Sequence, residues 1–130
     1  MKTAESIWFD TRFENYDQIR EQLKNNEIVP DCIKKGMPLL CLIAETMEVD
    51  IAKSLLDRGA NVDIRDSYGN TPVMKALAEY DRNDFEDDAM VKLLFEHGAS
   101  KDAVNQYGVG VQKMLAMVRK YSGKTLSWLG

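Results

Sequence analysis

Four stretches of the 130-residue chain hold residue types that could do chemistry. Ser122-Gly123-Lys124-Thr125 ends like a phosphate-binding loop, in which backbone N–H groups curl round the phosphates and the lysine reaches them. Such a loop needs a glycine five residues before Gly123, and Val118 stands there, so nucleotide binding is not expected. His97 is the only histidine, and it immediately precedes Gly98. A polar or cationic side chain there favours a helix C-terminus, which makes His97 a structural residue. Cys32 and Cys41 lie nine residues apart with no histidine near them. No export signal opens the chain, so both read as reduced thiols, with Cys41 in the core.

The fourth stretch is Glu79-Tyr80-Asp81-Arg82-Asn83-Asp84-Phe85-Glu86-Asp87-Asp88, with six acidic residues and one basic. Calcium is the chemistry to test. A calcium loop starting at Asp81 would place Glu86 where the sharp turn needs glycine, and Lys92 where a bidentate glutamate is needed. The stretch therefore reads as a solvated loop or as a contact surface for a cationic partner. Asp84, Asp87 and Asp88 would supply the charge, and Phe85 an aromatic anchor among them. Nowhere do nucleophile, base and orienting residue, or paired carboxylates, fall at workable spacing. No enzyme, cofactor, metal or small-molecule substrate is expected.

The elements that must position these residues are helical and repeated. Asp66-Ser67-Tyr68-Gly69-Asn70 suits a tight turn, because Asp bonds its own backbone and Gly accepts positive φ. Thr71 is expected to N-cap a helix whose first residue is Pro72, where a missing N–H costs nothing. Met90, Val91, Leu93, Leu94 and Phe95 make a second, apolar helix, stopped by Gly98. The same order of turn, helix, helix and glycine stop precedes it, from Gly36-Met37-Pro38-Leu39 to Leu55-Leu56-Asp57-Arg58-Gly59-Ala60. Gly36 to Gly69 is 33 residues, whereas Gly59 to Gly98 and Gly69 to Gly108 are both 39.

A period near 33, with Gly69-Asn70-Thr71-Pro72-Val73 opening and two closings from Leu55 to Ala60 and Leu93 to Ala99, resembles the ankyrin repeat. The resemblance is carried by residues 36–110 and implies an all-α solenoid of stacked helix-turn-helix units with short β-hairpin-like finger connections. Two full repeats stand between degenerate caps. A single domain, 1–130, divides into an N-terminal capping unit (1–33), a repeat (34–66), a second repeat (67–104) and a C-terminal capping unit (105–130). In the first cap, Ile7-Trp8-Phe9 and then Tyr16, Ile19 and Leu23 are the apolar positions, with Asp17, Arg20, Glu21 and Lys24 facing out. Asn61 to Arg65 is expected to be the extended arm of a finger. The second repeat holds an insertion at 79–88, since proline to closing glycine spans 21 residues in the first repeat and 26 in the second. The family's usual histidine after Pro-Leu is replaced by Met74, which removes the hydrogen bonds it would make between repeats. The last unit keeps Asn105-Gln106-Tyr107-Gly108, followed by a helix from Val111 to Tyr121 with Met114, Leu115, Met117 and Val118. Thr125 to Leu129, with Trp128, would close it.

What the resemblance implies about function is protein binding without catalysis, through finger tips and adjoining inner helices. Carried over by position, the exposed candidates are Arg65, Ser67, Tyr68, Asn70, Ala78, Glu79, Lys101, Gln106 and Tyr107. Tyr68 and Tyr107 fall at equivalent places and would anchor a partner with large area at low entropic cost. The net charge of −4 lacks the basic footprint of a nucleic-acid binder, even with Lys113, Arg119, Lys120 and Lys124 near the C-terminus, and fits a basic protein partner. The expectation is a cytoplasmic protein, monomeric when free and away from membranes, which inhibits a basic toxin or enzyme as an immunity protein does. The alternative is a scaffold or regulatory subunit.

Overall fold

A computed structural model describes residues 16–25, 33–34, 37–83 and 86–122. Ile7-Trp8-Phe9, Cys32, Asp84, Phe85 and the segment 123–130 with Lys124, Thr125 and Trp128 lie outside the described residues. In chain order the elements are α1 (Tyr16–Lys24), β1 (Ile33–Lys34), β2 (Met37–Pro38), α2 (Leu39–Thr46), α3 (Val49–Asp57), α4 (Pro72–Arg82), α5 (Ala89–Glu96) and α6 (Val111–Ser122).

The helices form two rows. One is α2, α4 and α6, each packed on the next, and the other is α1, α3 and α5; α2 pairs with α3 and α4 with α5. The core lies between the rows, with Ile19, Leu39, Leu40, Ile43, Ile51, Leu55, Val73, Leu77, Met90 and Leu94 among its fully buried side chains. Each such side chain contributes roughly 1.5–3 kcal/mol by leaving water. Helix α2 is apolar on nearly every side because neighbours cover most of it, burying Leu39, Leu40, Cys41, Ile43 and Ala44. It ends at Met47 with φ 64°, a left-handed conformation without glycine.

The two Leu-to-Ala closings have one physical cause. The Gly59 N–H donates to the Leu56 carbonyl and the Ala60 N–H to the Leu55 carbonyl, both at 3.0 Å. Gly98 and Ala99 repeat this with Phe95 and Leu94, at 3.0 and 3.1 Å. That is the Schellman pattern, which satisfies carbonyls left over at the helix end and requires a left-handed residue. Gly59 and Gly98 supply it at φ 96° and 90°.

Three sequence expectations need correction. Thr71 does occupy the cap position before Pro72, but its hydroxyl makes no capping bond; its Oγ1 is buried with no partner among the described residues. The insertion is not all loop, because α4 runs on to Arg82 and Tyr80 is 2% exposed. Val73, Leu77 and Tyr80 keep helical spacing, so Tyr80 is carried into the core before the chain leaves the helix at Asn83. Asn61 to Arg65 is a turn rather than an extended arm, with the Ile64 N–H donating to the Asn61 carbonyl at 3.1 Å and the Asp63 N–H to Asn61 Oδ1 at 3.0 Å. Met117, 45% exposed, lies along the open groove between α6 and α4.

Candidate protein-binding face

Two turns of the same design project from the helical rows. In the first, Asp66 Oδ1 accepts the N–H groups of Tyr68 and Asn70, both at 2.9 Å. In the second, Asn105 Oδ1 accepts those of Tyr107 and Val109, at 2.9 and 3.0 Å. The short polar side chain bonded to backbone two and four residues on is what fixes each turn. Asp66 is buried, and Lys75 Nζ of α4 lies 3.5 Å from its Oδ2, so the finger is tied to the helix behind it.

The fingers also interlock with each other. The Gln106 N–H donates to the Tyr68 carbonyl at 3.0 Å, and Asn105 Nδ2 donates to Asn70 Oδ1 at 2.8 Å. Arg65 Nη1 donates to the carbonyls of Gly69, at 2.8 Å, and Val104, at 2.9 Å. Gly69, at φ 80°, allows this approach: a Cβ there would lie 3.1 Å from the Gln106 nitrogen. The rings of Tyr68 and Tyr107 stack with centroids 6.2 Å apart, and they remain 50% and 67% exposed. The result is a rigid aromatic ledge with Ser67 and Gln106 exposed beside it.

Behind the ledge, Lys75, Ala78, Glu79 and Arg82 repeat at helical spacing along α4. With Glu45 of α2 and Met114 of α6 they line a groove of about 200 Å³. An adjoining apolar groove of about 380 Å³ runs between α4 and α6, past Leu77, Met117 and Val118. Glu79 is half-buried and is paired with Arg82 at 2.8 Å.

The structure thus brings Tyr68, Tyr107, Ser67 and Gln106 to one exposed ledge, while Arg65 and Asn70 fasten the fingers together. Lys101 is exposed beside Ser100, whose N–H donates to Asp63 Oδ1 at 2.8 Å. Asp87 and Asp88 sit elsewhere, at the entry to α5, where Asp87 Oδ1 accepts the Ala89 N–H at 3.0 Å. Helix α4, of 11 residues, separates that entry from the fingers by about 16 Å at 1.5 Å per residue. Glu45, Lys75, Arg82 and Met114 were not singled out from sequence; the spacing of Lys75, Ala78, Glu79 and Arg82 on α4 was the available signal. Among the described residues no three His, Cys, Asp or Glu side chains converge as metal ligands, and no helix is long and apolar enough to cross a membrane.

Paired helices in two rows, with interlocking turns along one edge, define a helical repeat solenoid presenting a grooved face. The chain belongs to the ankyrin repeat family: a family model described as ankyrin repeats (3 copies) matches residues 10–105. It is 41% identical over 69 residues to the potassium channel AKT2/3 of Arabidopsis thaliana, an alignment covering 53% of this chain and 8% of the channel. Among solved structures, the Legionella effector AnkH aligns with a TM-score of 0.56 and 26% identity, over 84% of this chain and 24% of that one. The chain therefore spans a small part of each of these relatives. Ankyrin repeats form protein–protein interaction modules and are generally non-catalytic.

Proposed function

We propose that this chain binds another protein stoichiometrically through the ledge of Tyr68 and Tyr107 and the groove behind it. The observation that carries this is the stacked, exposed tyrosine pair held by backbone bonds between two fingers. Two large apolar rings in water, already ordered, offer contact area without the entropic cost of fixing them on binding. The test is quantitative capture from the protein's own cells, using the wild type and the Tyr68→Ser/Tyr107→Ser double variant. A specific partner retained by the wild type and lost from the double variant supports this surface; equal retention by both refutes it.

A second reading is inhibition of a basic toxin or enzyme, in the manner of an immunity protein acting in the cytoplasm as a free monomer. It is favoured by the net charge of −4 and by exposed Asp81, Glu86 and Asp87 at the end of α4 away from the fingers. Charge complementarity of this kind speeds capture and is weakened by salt. Reversal of Glu86 and Asp87 to lysine should slow association with a basic partner several-fold while leaving binding by the ledge intact. Service as a scaffold or regulatory subunit would use the same ledge within a larger assembly.

A further inference from the structure

The groove behind the ledge has a chemical character of its own. Ala78 is exposed at its centre, so there is open space where a larger residue would fill it. Met74 and Met114 give it polarisable apolar walls that suit a methylene chain. Its charges do not cancel. Lys75 is matched by buried Asp66 at 3.5 Å, and Arg82 by Glu79 at 2.8 Å. Glu45 at one side and Asp81 in the adjoining groove have no ion-pair partner among the described residues. One carboxylate of the groove itself, Glu45, is therefore left over beside the apolar strip of Met74, Ala78 and Met114, with Asp81 in the groove next to it.

We propose that this groove receives one cationic side chain, lysine or arginine, from the protein that the tyrosine ledge holds. The proposal rests on the binding face assigned above and adds the chemistry of the residue recognised. The aliphatic stem would lie over Ala78 against Met74 and Met114, and the cationic head would reach Glu45. Glu79 is a second acceptor, currently engaged by Arg82, whose side chain is 70% exposed and free to swing into solvent. Arg82 is thus the groove's own competing cation.

The test needs no identified partner. Capped tripeptides Ac-Gly-Arg-Gly-NH2 and Ac-Gly-Lys-Gly-NH2, with the neutral citrulline and norleucine counterparts, are titrated into the full chain. Binding is followed by NMR of the methionine and alanine methyl groups. Both cationic peptides should shift the methyls of Met74, Ala78 and Met114, and neither neutral one should. Glu45→Gln should weaken binding by about two- to fivefold, the range a partly exposed ion pair supports. Arg82→Gln should strengthen it by a similar factor by releasing Glu79, a gain that damage to the fold cannot mimic. Ala78→Phe should abolish it. Equal shifts with citrulline, or unchanged affinity in both Glu45→Gln and Arg82→Gln, would overturn the proposal. Because the probes are small and the tyrosines stay intact, this result is independent of whether the ledge variant loses its partner.

Discussion

Tyr68 and Tyr107 are 39 positions apart in the chain, yet their rings stack at 26° between planes, with centroids 6.2 Å apart. The stack lies on backbone that is already fixed, since the Tyr68 carbonyl accepts the Gln106 N–H at 3.0 Å. An exposed aromatic pair on a rigid base is spent on contact with a partner more than on the fold. Tyr68→Ala and Tyr107→Ala should therefore each cost no more than about 1 kcal/mol of stability, because half-exposed rings realise only part of an aromatic pair's value. Thermal melts beside the binding assay check this; a loss of several kcal/mol would make the pair structural.

Gly69 carries a heavier structural demand than Gly98. Both are left-handed, but a Cβ at Gly69 meets the Gln106 nitrogen at 3.1 Å and Asn105 Cα at 3.3 Å, whereas one at Gly98 meets nothing within 4 Å. Gly98→Ala should cost about 1 kcal/mol from backbone strain alone, and Gly69→Ala about 2–3 kcal/mol because the fingers must also part. Urea denaturation of the two variants compares them directly. Equal losses would mean that the close approach of the fingers contributes nothing.

Thr71 invites a substitution that improves the protein. Its hydroxyl is buried without a partner among the described residues, and the N–H of Met74, the usual capping donor, goes instead to the Thr71 carbonyl at 3.1 Å. Thr71→Val keeps the shape and removes a desolvated polar atom, so stability should hold or rise by about 1 kcal/mol. The backbone at φ −93° and ψ 164° is extended and accepts a β-branched residue. A clear drop in melting temperature would show that the hydroxyl has a partner after all.

Arg20 of α1 clamps the first unit to α3. It donates to Asp50 at 3.0 Å and to Glu48 at 2.6 Å. That guanidinium holds the Asp50 carboxyl below the usual aspartate range. A depressed carboxylate pKa stabilises above its unfolded value, near 3.9, and the contribution disappears as pH falls through the folded value. The pair is largely exposed, so its worth is at most about 1 kcal/mol. Asp50→Asn should accordingly lower the melting temperature slightly and evenly above about pH 4, converge on the wild type in acid, and so flatten the acid fall. An unaltered acid profile would show that the clamp is screened away.

Cys41 is fully buried in α2, and burial pushes its thiol up to about 12. Since the thiolate is the nucleophile, alkylation near neutral pH should proceed only through unfolding. In a Cys32→Ser background, the rate of iodoacetamide labelling should rise with urea in step with loss of helix signal. Rapid labelling of the folded protein would place Cys41 nearer the surface than α2 allows.

The helices, their glycine stops and the repeat order were legible because their causes are local. The Schellman closures at Gly59 and Gly98 depend on residues three and five apart, and the Asx turns at Asp66 and Asn105 on residues two and four apart. Such spacings are written directly in the order of residues. Tyr80 shows where local reasoning stops: its acidic neighbours suggested a loop, and only the distance to the core decided that one more helical turn was stabilised by burying it.

What the sequence determined by itself was a family of stacked helix pairs with matching turns, since periodicity and turn chemistry need no knowledge of neighbours. Only the tertiary structure decided that Arg65 fastens two fingers, and that among the described residues Thr71 Oγ1 has no hydrogen-bond partner and Glu45 no counter-charge beside its groove. Each of those outcomes depends on which groups from units 30 to 40 residues away come within bonding distance, and chain order alone does not encode that separation in space.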